Sequence, residues 1–391
     1  MARLLFAVTL CAVACGTPRG PAPPGAATQP QGPALAASDI EQMAMSSSGS
    51  CGVFRGGRAH CWGDWNDALV KLGLATDAMT DIAELRIGHD VLAEQHEVDH
   101  LCARDAQHRV RCWGNGHQGQ LGTIHGDDTV IPVTIEPLPP AAQLALGDQH
   151  TCALTTAGEV LCWGSNERGQ LGLGRRAEII RTPTHVELPA KVTQIAASHF
   201  TTCALTDDHQ VYCWGENLRG EAGPPSPPTW NAWTPYHVEF AQGARQIAGA
   251  FSTLCAVKRD GQITCWGYLT DKLGPAFGTA VQGEVPDLHD ATAVAVGYSH
   301  ACAIRSDATV WCWGTGDRGA LGDGRGIDAW RPRQVALPGR ATQVVAGVRN
   351  GCARLEDRRW YCWGDNAHGA IAGRGEPPRL APALLDLSRV E

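Results

Sequence analysis

The chain has 391 residues, with 40 acidic side chains against 32 basic ones and a formal net charge of −8 at neutral pH. The basic residues are scattered and form no stripe of the kind that tracks a phosphate backbone, which sets nucleic acid aside as a partner. Beyond the first few residues no run approaches the ~18 apolar residues needed to cross a bilayer.

Residues 1–15 read as an export signal. Met1-Ala2-Arg3 is a short positive start, and Leu4 to Ala14 is an apolar, small-residue run too short for a membrane span. It ends in Ala12-Val13-Ala14-Cys15-Gly16, small residues before a cysteine. This resembles the lipobox of bacterial lipoproteins, in which the cysteine carries the lipid; Ala12 departs from it, since leucine is usual there. Lipidation at Cys15 is the expectation, an ordinary cleaved signal the alternative. Residues 16–38 are rich in Pro, Gly, Ala and Gln, lack apolar periodicity, and are expected to form an extended tether.

From residue 39 to 391 the chain repeats itself. Seven cysteines are each followed ten residues later by another: Cys51/Cys61, Cys102/Cys112, Cys152/Cys162, Cys203/Cys213, Cys255/Cys265, Cys302/Cys312 and Cys352/Cys362. Every second member opens Cys-Trp-Gly, and the pairs recur at intervals of 47 to 52 residues. A period near 50 signifies a propeller or a solenoid.

The third unit shows the local structure. Gln143 to Leu146 is an apolar strand broken by Gly147, and a second strand runs through His150-Thr151-Cys152-Ala153-Leu154. Opposing Cys152 to Cys162 pairs Ala153 with Leu161, Leu154 with Val160 and Thr155 with Glu159. A three-residue turn remains, with Gly158 in its last, left-handed place. Gly57 and Gly261 take that place in their own units. Directly opposed residues in such a hairpin lie close enough for a cross-strand bridge. An exported chain with an even cysteine count in every repeat is expected to form these disulfides. A reducing compartment would leave buried thiols instead, and zinc would want closer-spaced pairs.

After Trp-Gly comes a second recurring segment, as in Asn115 to Gly122, Ser165 to Gly172 and Thr315 to Gly322, and then a Pro-x-x-Val-x-Leu strand such as Pro183 to Leu188. Four short strands per unit between Gly-rich turns predict propeller blades. The order Gly-x-x-His-Thr/Ala-Cys-Ala-Leu, then Cys-Trp-Gly-x-Asn-x-x-Gly-Gln-Leu-Gly, resembles the repeat of the regulator of chromosome condensation family. That resemblance covers residues 39–391 and implies an all-β, seven-bladed β-propeller. The paired cysteines depart from the family's intracellular members and suit an exported version, for which the family's nucleotide-exchange role on a small GTPase is out of reach. The last strand, Pro382 to Leu387, matches the fourth strand of the other units. It is expected to complete the blade begun by Ile40 to Met45, so that N- and C-terminal strands pair and close the ring.

Seven tryptophans at one repeat position argue for packing. His100, His150 and His300, each two residues before a first cysteine, read as buried structural histidines. His89, His96 and His100 resemble a metal site only superficially, and no cofactor, metal or catalytic motif stands out. The better functional candidates lie where the units disagree, because binding lives on loops carried by a rigid scaffold. Pro224 to Tyr236 interrupts the fourth unit with Trp230, Trp233 and Tyr236, and the degenerate first unit carries Trp65. Trp233 and Trp330 share a place before the strand proline, so both are also candidates for packing between blades.

The function these features point to is a monomeric, non-enzymatic scaffold that binds a protein partner through propeller-face loops. It would be tethered only by an N-terminal lipid, in the outer membrane or at the cell surface. A glycan- or cell-wall-binding propeller is the alternative, and a polysaccharide-active enzyme a more distant one.

Overall fold

The computed structural model describes residues 36–389 apart from 47–48, 64–79, 89–99, 177, 224–230, 268–281, 372 and 374–375. Ala36–Glu391 form one unit of antiparallel sheets, with only short 3-10 turns such as Glu239–Ala241 beside the strands. Seven sheets follow one another, one per sequence unit. Six have four strands, and the first has three among the described residues: Ile40–Met45, Gly49–Phe54 and Ala59–Gly63. The chain is an all-β, seven-bladed propeller.

In every blade the two cysteines of the hairpin are directly opposed, with Cα atoms 4.0–4.1 Å apart, and joined as a disulfide. In chain order the bridges are Cys51–Cys61, Cys102–Cys112, Cys152–Cys162, Cys203–Cys213, Cys255–Cys265, Cys302–Cys312 and Cys352–Cys362. All of these sulfur-bearing residues are buried except Cys61, which is half-buried in the three-stranded first blade. The third blade has the register that the spacing predicts: Leu154 faces Val160, Ala153 faces Leu161, and Gly158 closes the turn at φ +88°. Four units carry a side chain at this left-handed position: His108, His209, Ala308 and Arg358, with φ between +64° and +71°. For His108 and His209 the ring Nδ1 bonds the carbonyl oxygens of Ala141 and Ala244, at 2.8 and 3.0 Å, which offsets the conformational cost.

The core is a series of layers between blades. The cysteine face of each blade lies against the tryptophan face of the next, as in the cluster of Cys152, Cys162, Leu154 and Trp214. Cys102 and Cys112 meet Trp163 in the same way, and Cys203 and Cys213 meet Trp266. Cys255 and Cys265 lie against Trp313, and Cys302 and Cys312 against Trp363. The disulfides thus link strands within a blade covalently and supply apolar surface between blades.

Ring closure differs from the sequence-based expectation. The C-terminal strand Arg379–Leu384 pairs with Trp360–Gly364 in the seventh blade, where its Ala383 faces Cys362, while Ile40–Met45 pairs with Gly49–Phe54 in the first. The two ends share no sheet. The physical reason is one of phase: the chain enters the ring on a first strand and leaves it on a fourth. Among the described residues no strand is shared between the first and seventh blades, and side chains make the closing bonds. Trp360 donates its indole N–H to the Ile40 carbonyl at 3.1 Å, Arg358 pairs with Glu41 at 3.2 Å, and Trp62 and the Ser50 hydroxyl both donate to the Ala370 carbonyl at 3.0 and 2.9 Å.

Candidate interaction face and central channel

Two recurring clamps hold the blades in register. The first uses the Cys-Trp-Gly tryptophan, whose indole N–H donates to a backbone carbonyl of the preceding blade. Trp163 reaches Gln120, Trp214 reaches Gln170, Trp266 reaches Glu221 and Trp363 reaches Ala320, at 2.9–3.0 Å. These indoles are fully buried, so the tryptophans are packing and clamping residues. For Trp113 and Trp313 no acceptor is found among the described residues, and the matching segments of the preceding blades fall outside them.

The second clamp carries no sequence signature of its own. Each innermost strand has a bulge near its start, and in five of the seven a glutamine stands there: Gln42, Gln143, Gln194, Gln246 and Gln343. The Gln194 amide donates to the Ile247 carbonyl and accepts from the Ile247 N–H, both at 2.9 Å. Gln42, Gln143 and Gln246 do the same to Leu85, Ile195 and Val294. An amide suits this role because it donates and accepts at once. A lone glutamine in an apolar strand gives no hint of this until the strands are set side by side.

The histidines complete the interfaces. His100 and His150 place Nε2 2.9 and 2.8 Å from the hydroxyls of Thr151 and Thr202 in the next blade. Burial drives the His150 pKa down to about 3 and that of His300 to about 4, so both are neutral rings. In the unit after His300 the place of those threonines is taken by Gly351, which has no hydroxyl to offer. Gly147 is required beside His150, because a Cβ there would come within 2.1 Å of the ring. Of the sequence cluster His89, His96 and His100, only His100 is described; among the described residues no group of three or more His, Cys, Asp and Glu is placed to hold a metal.

The order of strands separates two faces. Connections from first to second and from third to fourth strand emerge on one face, as the bond from Ser165 N–H to the Gln149 carbonyl shows. The tight hairpins and the entries to each new blade lie on the other, where Thr156 N–H meets the Pro140 carbonyl. Segments 64–79, 89–99, 224–230 and 268–281, where the units depart most from one another, all attach to strand ends on the first face. That face also carries an ionic and aromatic group around the channel mouth. His199 Nε2 lies 2.5 Å from Asp148 Oδ2, both buried, and its ring centroid is 3.8 Å from Phe200 and 5.4 Å from Phe251. Phe251, at φ +49°, lies against Tyr298, ring centroids 4.2 Å apart and tilted by 45°. Arg168 lies over Phe200 at 4.0 Å and pairs with Glu216.

Nearby, Glu221 stands where two other units have Gln120 and Gln170, and its carboxylate accepts from the Arg219 N–H at 2.8 Å. Burial, with the neighbouring Glu216, pushes its pKa up to about 7.

Of the sequence candidates for partner binding, Trp230 and Trp65 lie outside the described residues, as does Cys15. Trp233 and Tyr236 sit on the outer strand Asn231–His237 of the fourth blade. Trp233 packs against Gly169 of the third blade, where an added Cβ would stand 3.3 Å from its ring. Tyr236 is 41% exposed. The structure therefore does not gather these aromatics into one described patch.

What these elements define is a closed propeller of interlocked repeats, a protein-interaction scaffold in type. The Regulator of chromosome condensation (RCC1) repeat matches at residues 107–154, 157–205 and 307–353, and a second form of the same repeat at 141–170, 192–221, 291–320 and 341–370. The chain is a propeller of RCC1 repeats. It is 28% identical over 199 residues to the human E3 ubiquitin-protein ligase HERC2, covering 49% of this chain and 4% of that one. It is 29% identical over 102 residues to the human Regulator of chromosome condensation, covering 26% and 24%. It thus spans less than a quarter of the length of each of these relatives. The yeast RCC1 (Prp20) structure, solved bound to Kap60, matches with a TM-score of 0.71 at 19% identity, covering 92% of this chain and 90% of that one.

Proposed function

We propose that the protein is a non-enzymatic scaffold that binds a protein partner through the face carrying the variable connections. It is held as a monomer in the bacterial envelope, at the outer membrane or cell surface, by a lipid on Cys15. The observation that carries this reading is that the large departures from the repeat attach to one face while the hairpin face stays uniform. A scaffold that varies only on one side concentrates its specificity there. The seven disulfides and the signal-like N-terminus support export, since such bridges persist in oxidising compartments. Yeast RCC1, bound to Kap60, is a propeller of this fold with a protein partner.

Site-specific photo-crosslinking in intact cells tests the proposal. A photoreactive residue replaces His117 or Glu167 on the variable face, and Asp260 or Asp307 on the hairpin face. Protein adducts are expected from the first pair and not from the second. Adducts from the hairpin face alone, or from neither, overturn the assignment. Mass spectrometry of the mature chain, reduced and unreduced, reports the lipid and the disulfides together.

A further inference from the structure

The innermost strands enclose a central cavity of about 320 Å³. One residue from each innermost strand, the one opposite the first cysteine of its blade, forms a ring around it. Six of the seven are small: Ala44, Ala145, Ala196, Ala248, Ala295 and Val345. The seventh is Arg86, opposite Cys102, with its side chain 42% exposed.

A second departure stands two residues earlier on the same strand, where Glu84 replaces the clamping glutamine. Its carboxylate accepts from the Leu144 N–H at 3.2 Å, as a glutamine would. It also accepts from Arg86 Nε at 2.9 Å and from Arg104 Nε at 3.3 Å. Arg86 and Arg104 thus share one carboxylate, and the three groups together carry one net positive charge. Arg86 is fixed through Nε, and no partner for its two terminal nitrogens is found among the described residues. Its fork is oriented in advance for a planar anion. The other charged groups on the cavity wall, Asp148 and His199, are paired with each other at the mouth.

We propose that the channel binds a small organic monocarboxylate, its carboxylate on the terminal nitrogens of Arg86 and its hydrocarbon body against the alanine ring. A cavity of this size in which a fixed charged group stands beside small apolar side chains has the form of a small-ligand site. One net positive charge, with the Glu84 carboxylate close behind the fork, favours a monoanion over a phosphate or a dicarboxylate.

Isothermal titration of the full mature chain with hexanoate, octanoate and phenylpropanoate tests this, with hexylamine and hexanol as matched controls. Saturable one-site binding is expected for at least one acid and for neither control. Arg86→Gln is expected to weaken it tenfold or more. Ala295→Phe leaves Arg86 in place and fills the cavity, and is expected to abolish binding. This variant decides the matter if Arg86→Gln fails to fold by circular dichroism. No saturable heat with any of the three acids, equal binding by hexylamine, or undiminished binding in folded Arg86→Gln or Ala295→Phe overturns the proposal. None of these outcomes bears on which face binds a protein.

Discussion

Glu221 is a single-atom departure from the repeat with a measurable consequence. Gln120 and Gln170 accept a backbone N–H two residues upstream through an amide oxygen, and Glu221 makes the same bond with a carboxylate in a site that is 2% exposed. Its pKa rises from 4.5 to about 7 because burial opposes the charge. Below pH 4.5 the group is neutral in both folded and unfolded chains and costs nothing. Between pH 4.5 and 7 the unfolded chain loses its proton first, so stability falls as pH rises, and above pH 7 the whole loss is present. Glu221→Gln keeps the hydrogen bond and removes the charge. It is expected to stabilise the protein at pH 8 by on the order of 3 kcal/mol and to change little at pH 4. Thermal melts of both proteins across that range check this; an equal effect at both ends would show that the carboxylate is not buried in the folded state.

The strand and the hairpin are largely legible in the sequence, and the reason is spacing. A ten-residue cysteine interval, a turn glycine and alternating burial leave one register open, and Cys152 opposite Cys162 follows from it, as does Cys255 opposite Cys265. The clamp between blades is not legible, because it depends on a bulge that aims one glutamine at a strand 53 residues away. Arg86 escapes notice for a similar reason, since it is conspicuous only in a ring of seven residues that are far apart in the chain. The motif of the closing strand correctly marks it as a fourth strand, yet its pairing is not the one the sequence suggests, because a ring need not be locked by a shared blade. The glutamine clamp predicts its own deletion cost. Gln194→Ala strands the Ile247 N–H and carbonyl at a buried interface, and is expected to destabilise by roughly 1–3 kcal/mol. Gln194→Glu keeps the accepting half alone and adds a charge, so it should do no better. Chemical denaturation with an unchanged m value checks the first expectation.

At the scale of the molecule, the interface between the seventh and first blades differs from the other six. Elsewhere the chain itself connects neighbours, so a loosened pair stays tethered; here, among the described residues, the two blades are joined by bonds from side chains. The ring compensates with groups absent from the equivalent places. Trp360 stands where the other blades carry Val110, Val160, Val211, Ile263, Val310 or Ala59, fully buried, with its indole N–H on the Ile40 carbonyl. Arg358 to Glu41 adds an exposed ion pair of small weight. The seven disulfides do not help, because each closes a loop inside one blade: Cys51–Cys61 lies on one side of this seam, Cys352–Cys362 on the other, and none crosses it. Local opening of the propeller should therefore begin at the seam, with the strand Ile40–Met45 released from Ala341–Ala346 before any other pair of blades separates. Trp360→Phe removes one donor and keeps most of the apolar volume. It is expected to raise amide hydrogen exchange in Ile40–Met45 by about tenfold or less, the range a single buried hydrogen bond of ~1 kcal/mol supports. Trp214→Phe deletes a like bond between the third and fourth blades, which the chain connects, and should leave exchange in Val192–Ala197 nearly unchanged. Equal acceleration at both places would mean that the seam is no weaker than the connected interfaces, and that closure by side chains is as firm as closure by the chain.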